Sequence, residues 1–196
     1  MKGLLYKDLM TIRTTIWIYV ALVVLLAGFG SDYQLMFAMI YSLMLPVNIL
    51  AYDERSHFER LQSAMPVSGL ACVTDKYLIG YASIAFALMV ALVRSALFPG
   101  YAVPVWLMLA SVAMALLAVS IVLPIMFRLG TEKGRMVYLL AIGVQMAAYF
   151  VLAESTQGMS AGVLTGIWLA VLAASAAINA GSVCVSNALY TRRLSA

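Results

Sequence analysis

Charge is what this sequence has least of. Asp, Glu, Lys and Arg together make up 10% of its 196 residues, and histidine occurs once, at His57. An ordinary soluble domain carries about a quarter of its residues charged. A water-soluble globule is therefore excluded. One histidine leaves no histidine metal cluster and no histidine-based triad. The two cysteines, Cys72 and Cys184, form no CxxC pair, so neither a disulfide nor a metal site is expected. GxxxxGK[ST], HExxH and GxSG are all missing, as is an aspartate-rich cluster for metal-assisted chemistry on lipids. No catalytic residue, cofactor or metal is expected.

What fills the chain is apolar. Hydrophobic residues reach 65% and the mean hydropathy is +1.01. Runs of about 20 apolar residues are the length that crosses a hydrocarbon core of about 30 Å. Six such stretches are legible, predicting an all-α membrane bundle in one transmembrane domain over 1–196. Residues 1–14 read as a helix in the membrane interface, since Leu5, Leu9, Ile12 and Ile16 recur at helical spacing beside Lys2, Lys7 and Arg13. Spans 1 and 2 occupy 16–51, spans 3 and 4 occupy 77–127, and spans 5 and 6 occupy 136–189. Pro46 should kink span 2 and Pro124 should interrupt span 4 near its end. Residues 128–135, with Gly130 and Gly134, read as a compact basic turn. Methionines are scattered over the spans without a cluster, which suits packing and not metal transport.

Basic residues orient the bundle. Lys2, Lys7, Arg13, Arg55, Arg60, Lys76, Arg128, Lys133, Arg135, Arg192 and Arg193 fall on one side, leaving Arg94 alone of the twelve. Such asymmetry places both termini and the 53–65 loop in the cytoplasm. Basic residues that track the ends of apolar runs reflect topology, so the pI of about 9.1 does not signal nucleic acid. Arg94 lies near the outer end of span 3, where it either snorkels to headgroups or pairs with Glu154 or Asp32. Gln145 and Asn179 are candidate interhelical hydrogen-bond partners. In span 6, Gly162, Gly166, Ala170 and Ala174 repeat every four residues beside Ala173, Ala177 and Gly181. Small residues so spaced let helices approach closely, in the same chain or in a second copy.

One polar island interrupts the apolar pattern. Asp53, Glu54, Arg55, Glu59 and Arg60 put five of twenty charged residues into eight positions. Asp53 is a candidate helix cap, Arg55 and Glu59 are spaced i, i+4, and Phe58, Leu61 and Met65 form an apolar stripe. Pro66 ends the pattern. Two readings stand beside each other: a solvated loop helix, or a peg that docks another protein.

Tyr52-Asp53-Glu54-Arg55-Ser56, the Leu61-to-Met65 stretch, Pro66-Val67-Ser68 and Lys76-Tyr77-Leu78 resemble small six-span permease subunits of type 2 ABC transporters. So does the start, Met1-Lys2-Gly3-Leu4-Leu5-Tyr6-Lys7-Asp8-Leu9. The resemblance lies in motifs over roughly the first 80 residues and in hydropathy beyond. It implies an exporter subunit of the bacterial cytoplasmic membrane that hydrolyses no ATP itself. Two copies would pair with two copies of a separate ATP-binding subunit. Residues 53–65 would then be the coupling helix, with Asp53, Glu54, Arg55, Phe58, Glu59, Arg60, Leu61 and Met65 docking that subunit. The cargo would be a peptide, a lipid-like compound or a drug. Two other classes remain open: a six-span substrate-binding subunit of a vitamin-uptake transporter, and a small membrane enzyme with an unrecognised site.

Overall fold

In the computed structural model of this chain, residues 2–30, 32–56, 58, 68–155 and 158–194 are described. They are almost wholly helical, and no strand occurs among them. Helix α1 (Lys2–Thr11) breaks at Ile12, and α2 (Arg13–Val23) continues as a π-helix over Val24–Gly28. Then come α3 (Asp32–Tyr41), α4 (Met44–Arg55), α5 (Gly69–Leu97), α6 (Val105–Leu129), α7 (Thr131–Ser155) and α8 (Ala161–Leu194). Five helical stretches are long and apolar enough to cross a membrane, and six if the bent pair before Gly28 is one span. The all-α membrane bundle read from hydropathy is what the fold shows. The bend between α1 and α2 is 71°, so α1 leaves the direction of α2 as an interfacial helix would.

Burial ranks the spans. Of their most apolar 18 residues, the α3–α4 span buries 67% and α6 buries 61%, but α8 buries only 17%. Helix α6 is the central post. It packs against α3, α5, α7 and, most extensively, α8. What α8 buries is one stripe: Leu164, Trp168, Ser175, Asn179, Ser182, Ser186 and Tyr190. The polar members of that stripe find partners inside the bundle. Asn179 Nδ2 donates to the Leu116 carbonyl at 3.1 Å, and Tyr77 OH lies 2.7 Å from Ser182 Oγ and 2.9 Å from Ser186 Oγ. In a hydrocarbon solvent apolar side chains gain nothing by turning inward, so hydrogen bonds and close packing select the buried face. Gln145 Nε2 reaches the Met114 carbonyl at 3.4 Å by the same logic. The small-residue repeats of α8 are not part of this seam: Gly162, Gly166, Ala170, Ala173, Ala174, Ala177 and Gly181 are all exposed.

Both span prolines are accommodated by a serine from the neighbouring helix. Proline at position i leaves the carbonyl at i−4 without its helical donor. For Pro46 that residue is Ser42, where α3 stops; Ser83 Oγ of α5 donates to the Ser42 carbonyl at 3.1 Å. For Pro124 it is Ser120, and Ser182 Oγ of α8 donates to it at 2.7 Å. The outcomes differ. The helix breaks at Ser42–Leu43, one turn before Pro46, but α6 runs through Pro124 unbroken to Leu129. The expected basic turn over 128–135 also shrinks to Gly130, because α7 already starts at Thr131.

Candidate functional site

The polar island and the start of the chain meet in space. Helix α4 does not stop at Ala51 but carries Tyr52, Asp53, Glu54 and Arg55 as its last turn, closing at Ser56. Asp53 is therefore no N-cap. Its carboxylate is held by two ammonium groups, with Lys7 Nζ of α1 at 2.5 Å from Oδ1 and Lys76 Nζ of α5 at 2.8 Å from Oδ2. Lys76 also donates a short hydrogen bond to Asp8 Oδ2. Lys7 Nζ lies 2.9 Å from Asp8 Oδ1, an ion pair by distance whose geometry is too poor for a hydrogen bond. Asp75 completes the group, with Oδ2 at 4.0 Å from Lys76 Nζ.

Burial makes this cluster unusual. Side-chain exposure is 0% for Asp8, 4% for Lys76 and 3% for Asp75, against 14% for Asp53 and 30% for Lys7. Buried charges persist only when paired and hydrogen-bonded. Here two lysines face three carboxylates, one more than they can neutralise. Burial by itself would lower the Lys7 pKa, but its hydrogen bond to Asp53 and its attraction to the Asp8 carboxylate outweigh that and hold it above the ordinary lysine value. The cluster joins α1, the end of α4 and the start of α5. It thereby clamps both ends of the 56–68 loop to the N-terminal helix.

The other described island residues separate into three cases. Glu54 is a structural anchor: its Oε2 accepts the Thr131 backbone N–H at 2.7 Å and the Thr131 hydroxyl at 2.5 Å. It thus caps the first turn of α7 from another helix. Gly130 allows this approach, since it takes φ 78° and a Cβ there would lie 2.7 Å from Glu54 Oε1. Phe58 is half-buried, with Lys7 Nζ 3.6 Å above its ring centroid. Arg55 is exposed. Glu59, Arg60, Leu61 and Met65 lie outside the described residues.

A model of the family described as ABC-2 family transporter protein matches residues 3–191. That is nearly the whole chain. This protein belongs to the ABC-2 transporter family. It is a multi-pass permease subunit of an ABC transporter, and the family implies a separate ATP-binding partner. No curated protein and no solved structure matches it.

On this permease Arg94 neither snorkels nor pairs with Glu154 among the described residues, and the side chain of Asp32 lies outside them. Arg94 is buried, at 7% exposure, so it does not snorkel. Its Nη1 donates to the Gly30 carbonyl at 2.8 Å and reaches the Ala27 carbonyl at 3.5 Å, where the π-helix ends. Helix ends leave carbonyls without donors, and a guanidinium satisfies several at once. Glu154 is exposed in α7, and no ion pair among the described residues joins it to Arg94. Cys72 is buried, Cys184 is exposed, and both are free. Sequence reasoning passed over Asp8 altogether. Its clue was an acid one position past Lys7 on a helix otherwise basic and apolar, where charge alone suits the interface poorly.

Proposed function

We propose that this permease is the membrane half of an exporter, built as a homodimer and driven by ATP that a separate subunit hydrolyses. The 56–68 loop is the docking element, and the Lys7–Asp8–Asp53–Lys76 cluster passes its displacement to the spans. The observation that carries this reading is that Asp53 and Lys76, which bracket the loop, share one buried charge cluster with α1. A force applied to the loop then moves α1 and the bases of α4 and α5 together, because pulling any one charge out of the cluster leaves its partners buried and unpaired. Two features support the remaining parts. The exposed small-residue face of α8 suits close approach by a second copy. An apolar recess of about 390 Å³ on the outer half, between Val24, Phe29, Phe86 and Val93, suits a lipid-like, peptide or drug cargo.

The test is co-purification with the ATP-binding subunit. Reversing the loop's charge with Glu59→Arg should abolish co-purification and transport-linked ATP hydrolysis while the permease alone melts as the wild type does. Undiminished capture of the ATPase by Glu59→Arg would remove the loop from the docking role.

A further inference from the structure

At the cytoplasmic end a recess opens between α2, α4 and α7, away from the charge cluster. It consists of two adjoining cavities of about 250 Å³ and about 100 Å³, both lined by Ala51, Arg55 and Arg135. Lys133 adds a third cation to the larger cavity, and Thr15 and Asn48 add neutral polar groups to the smaller. Among the described residues Glu54 is the one acid lining either cavity, and its carboxylate is engaged by Thr131. Among the described residues, no ion pair joins Arg55, Lys133 or Arg135 to a carboxylate. Three cations around one polar hollow repel each other unless an anion fills it.

We propose that this recess binds the phosphate headgroup of an anionic phospholipid of the inner leaflet. Arginine guanidinium groups match phosphate oxygens two at a time, and Asn48 and Thr15 offer further donors. The level of the recess selects lipid as the source of the phosphate. One turn deeper along each flanking helix the side chains become apolar and outward-facing: Ile18 of α2 is 59% exposed, and Leu139 of α7 is 65% exposed. A phosphate seated on Arg55 and Arg135 therefore has hydrocarbon surface beside it for acyl chains. Basic pockets between spans on the cytoplasmic side are suited to such headgroups.

The experiment uses the full-length permease in zwitterionic detergent with a fluorescent phosphatidylglycerol. Unlabelled phosphatidylglycerol, phosphatidylcholine and inorganic phosphate serve as competitors. Wild type should bind the probe and release it to unlabelled phosphatidylglycerol, but not to phosphatidylcholine or to inorganic phosphate at equal concentration. Lys133→Gln with Arg135→Gln removes two of the three cations, and the affinity should fall by about thirtyfold. Arg13→Gln, a basic residue at the same end but outside the recess, should leave it within about twofold. Arg55 stays unchanged so that any effect on ATPase docking remains separate. Equal loss in Arg13→Gln would reduce the effect to net charge and overturn the site. Release by inorganic phosphate would make the ligand a soluble anion. Loss of ATPase capture in Lys133→Gln/Arg135→Gln with unchanged lipid affinity would assign the recess to the protein partner. Either of these results refutes the lipid assignment.

Discussion

Replacing Lys76 with methionine tests the charge cluster most directly. Methionine keeps the length of the side chain and much of its volume, so the change removes the charge with little loss of packing. Lys76 Nζ is the buried ammonium that bonds both Asp8 and Asp53, with 2.8 Å to Asp53 Oδ2 and the short bond to Asp8 Oδ2. Without it, Lys7 alone faces three carboxylates, and Asp8 is fully buried. Breaking a buried pair in this way costs about 3–5 kcal/mol, mostly from the charge left without a partner. For a chain of this size that is a fall of about 6–20 °C in the melting midpoint of the detergent-solubilised permease. Lys7→Met provides the internal comparison: its side chain is 30% exposed, water replaces part of what it loses, and the cost should be about 1 kcal/mol or less. The decisive variant is Lys76→Met with Asp8→Asn. Removing one charge of each sign restores the balance, so the double variant should melt well above Lys76→Met alone. Thermal melting followed by tryptophan fluorescence reads five proteins: wild type, Lys76→Met, Asp8→Asn, their double variant and Lys7→Met. Strict additivity of the two changes, or a Lys76→Met midpoint equal to that of Lys7→Met, would refute a buried, mutually dependent cluster.

Three further outcomes follow from the same contacts. Ser182→Ala strips the donor from the Ser120 carbonyl and should cost about 0.6–1.7 kcal/mol, but far less in a Pro124→Ala background, where the backbone N–H at 124 supplies the bond; a melting double-mutant cycle reads the difference. Gly130→Ala should cost about 1–3 kcal/mol, since φ 78° with ψ 174° admits only glycine and Glu54 Oε1 occupies the space; a wild-type midpoint would contradict the Glu54 cap on α7. In intact cells, an impermeant thiol reagent should label Tyr101→Cys in a Cys184→Ala background but not Lys133→Cys, also exposed, in the same background, and the reverse pattern would invert the bundle.

Hydropathy was enough to give the all-α span pattern, and the motifs of the first 80 residues pointed to the family that the whole chain matches. These are properties of segments: about twenty apolar residues settle a crossing whatever they pack against, and a lysine's side of the membrane depends on its own solvation. The helix break before Pro46 was equally legible, because a missing N–H acts on its own helix. Pro124 shows where that reasoning stops, since the same residue type leaves α6 continuous to Leu129.

Partners across helices are another matter. Asp53 looked like a cap and Glu54 like a docking rim, yet one is held by Lys7 and Lys76 and the other caps α7. Arg94 was assigned to headgroups, to Glu154 or to Asp32, and it is buried with its guanidinium on the Ala27 and Gly30 carbonyls. Each misreading has the same cause. A charge in hydrocarbon must find a counter-charge or a free carbonyl, but which one it finds depends on which helix packs alongside, and nothing local encodes that. Asp8 and Lys76 are 68 positions apart. The sequence by itself determined that this chain has the apolar helices of a membrane bundle and to which family of transporters it belongs. Only the tertiary structure decided that three distant charged segments close into one buried cluster, because desolvation acts on charges after the helices have met.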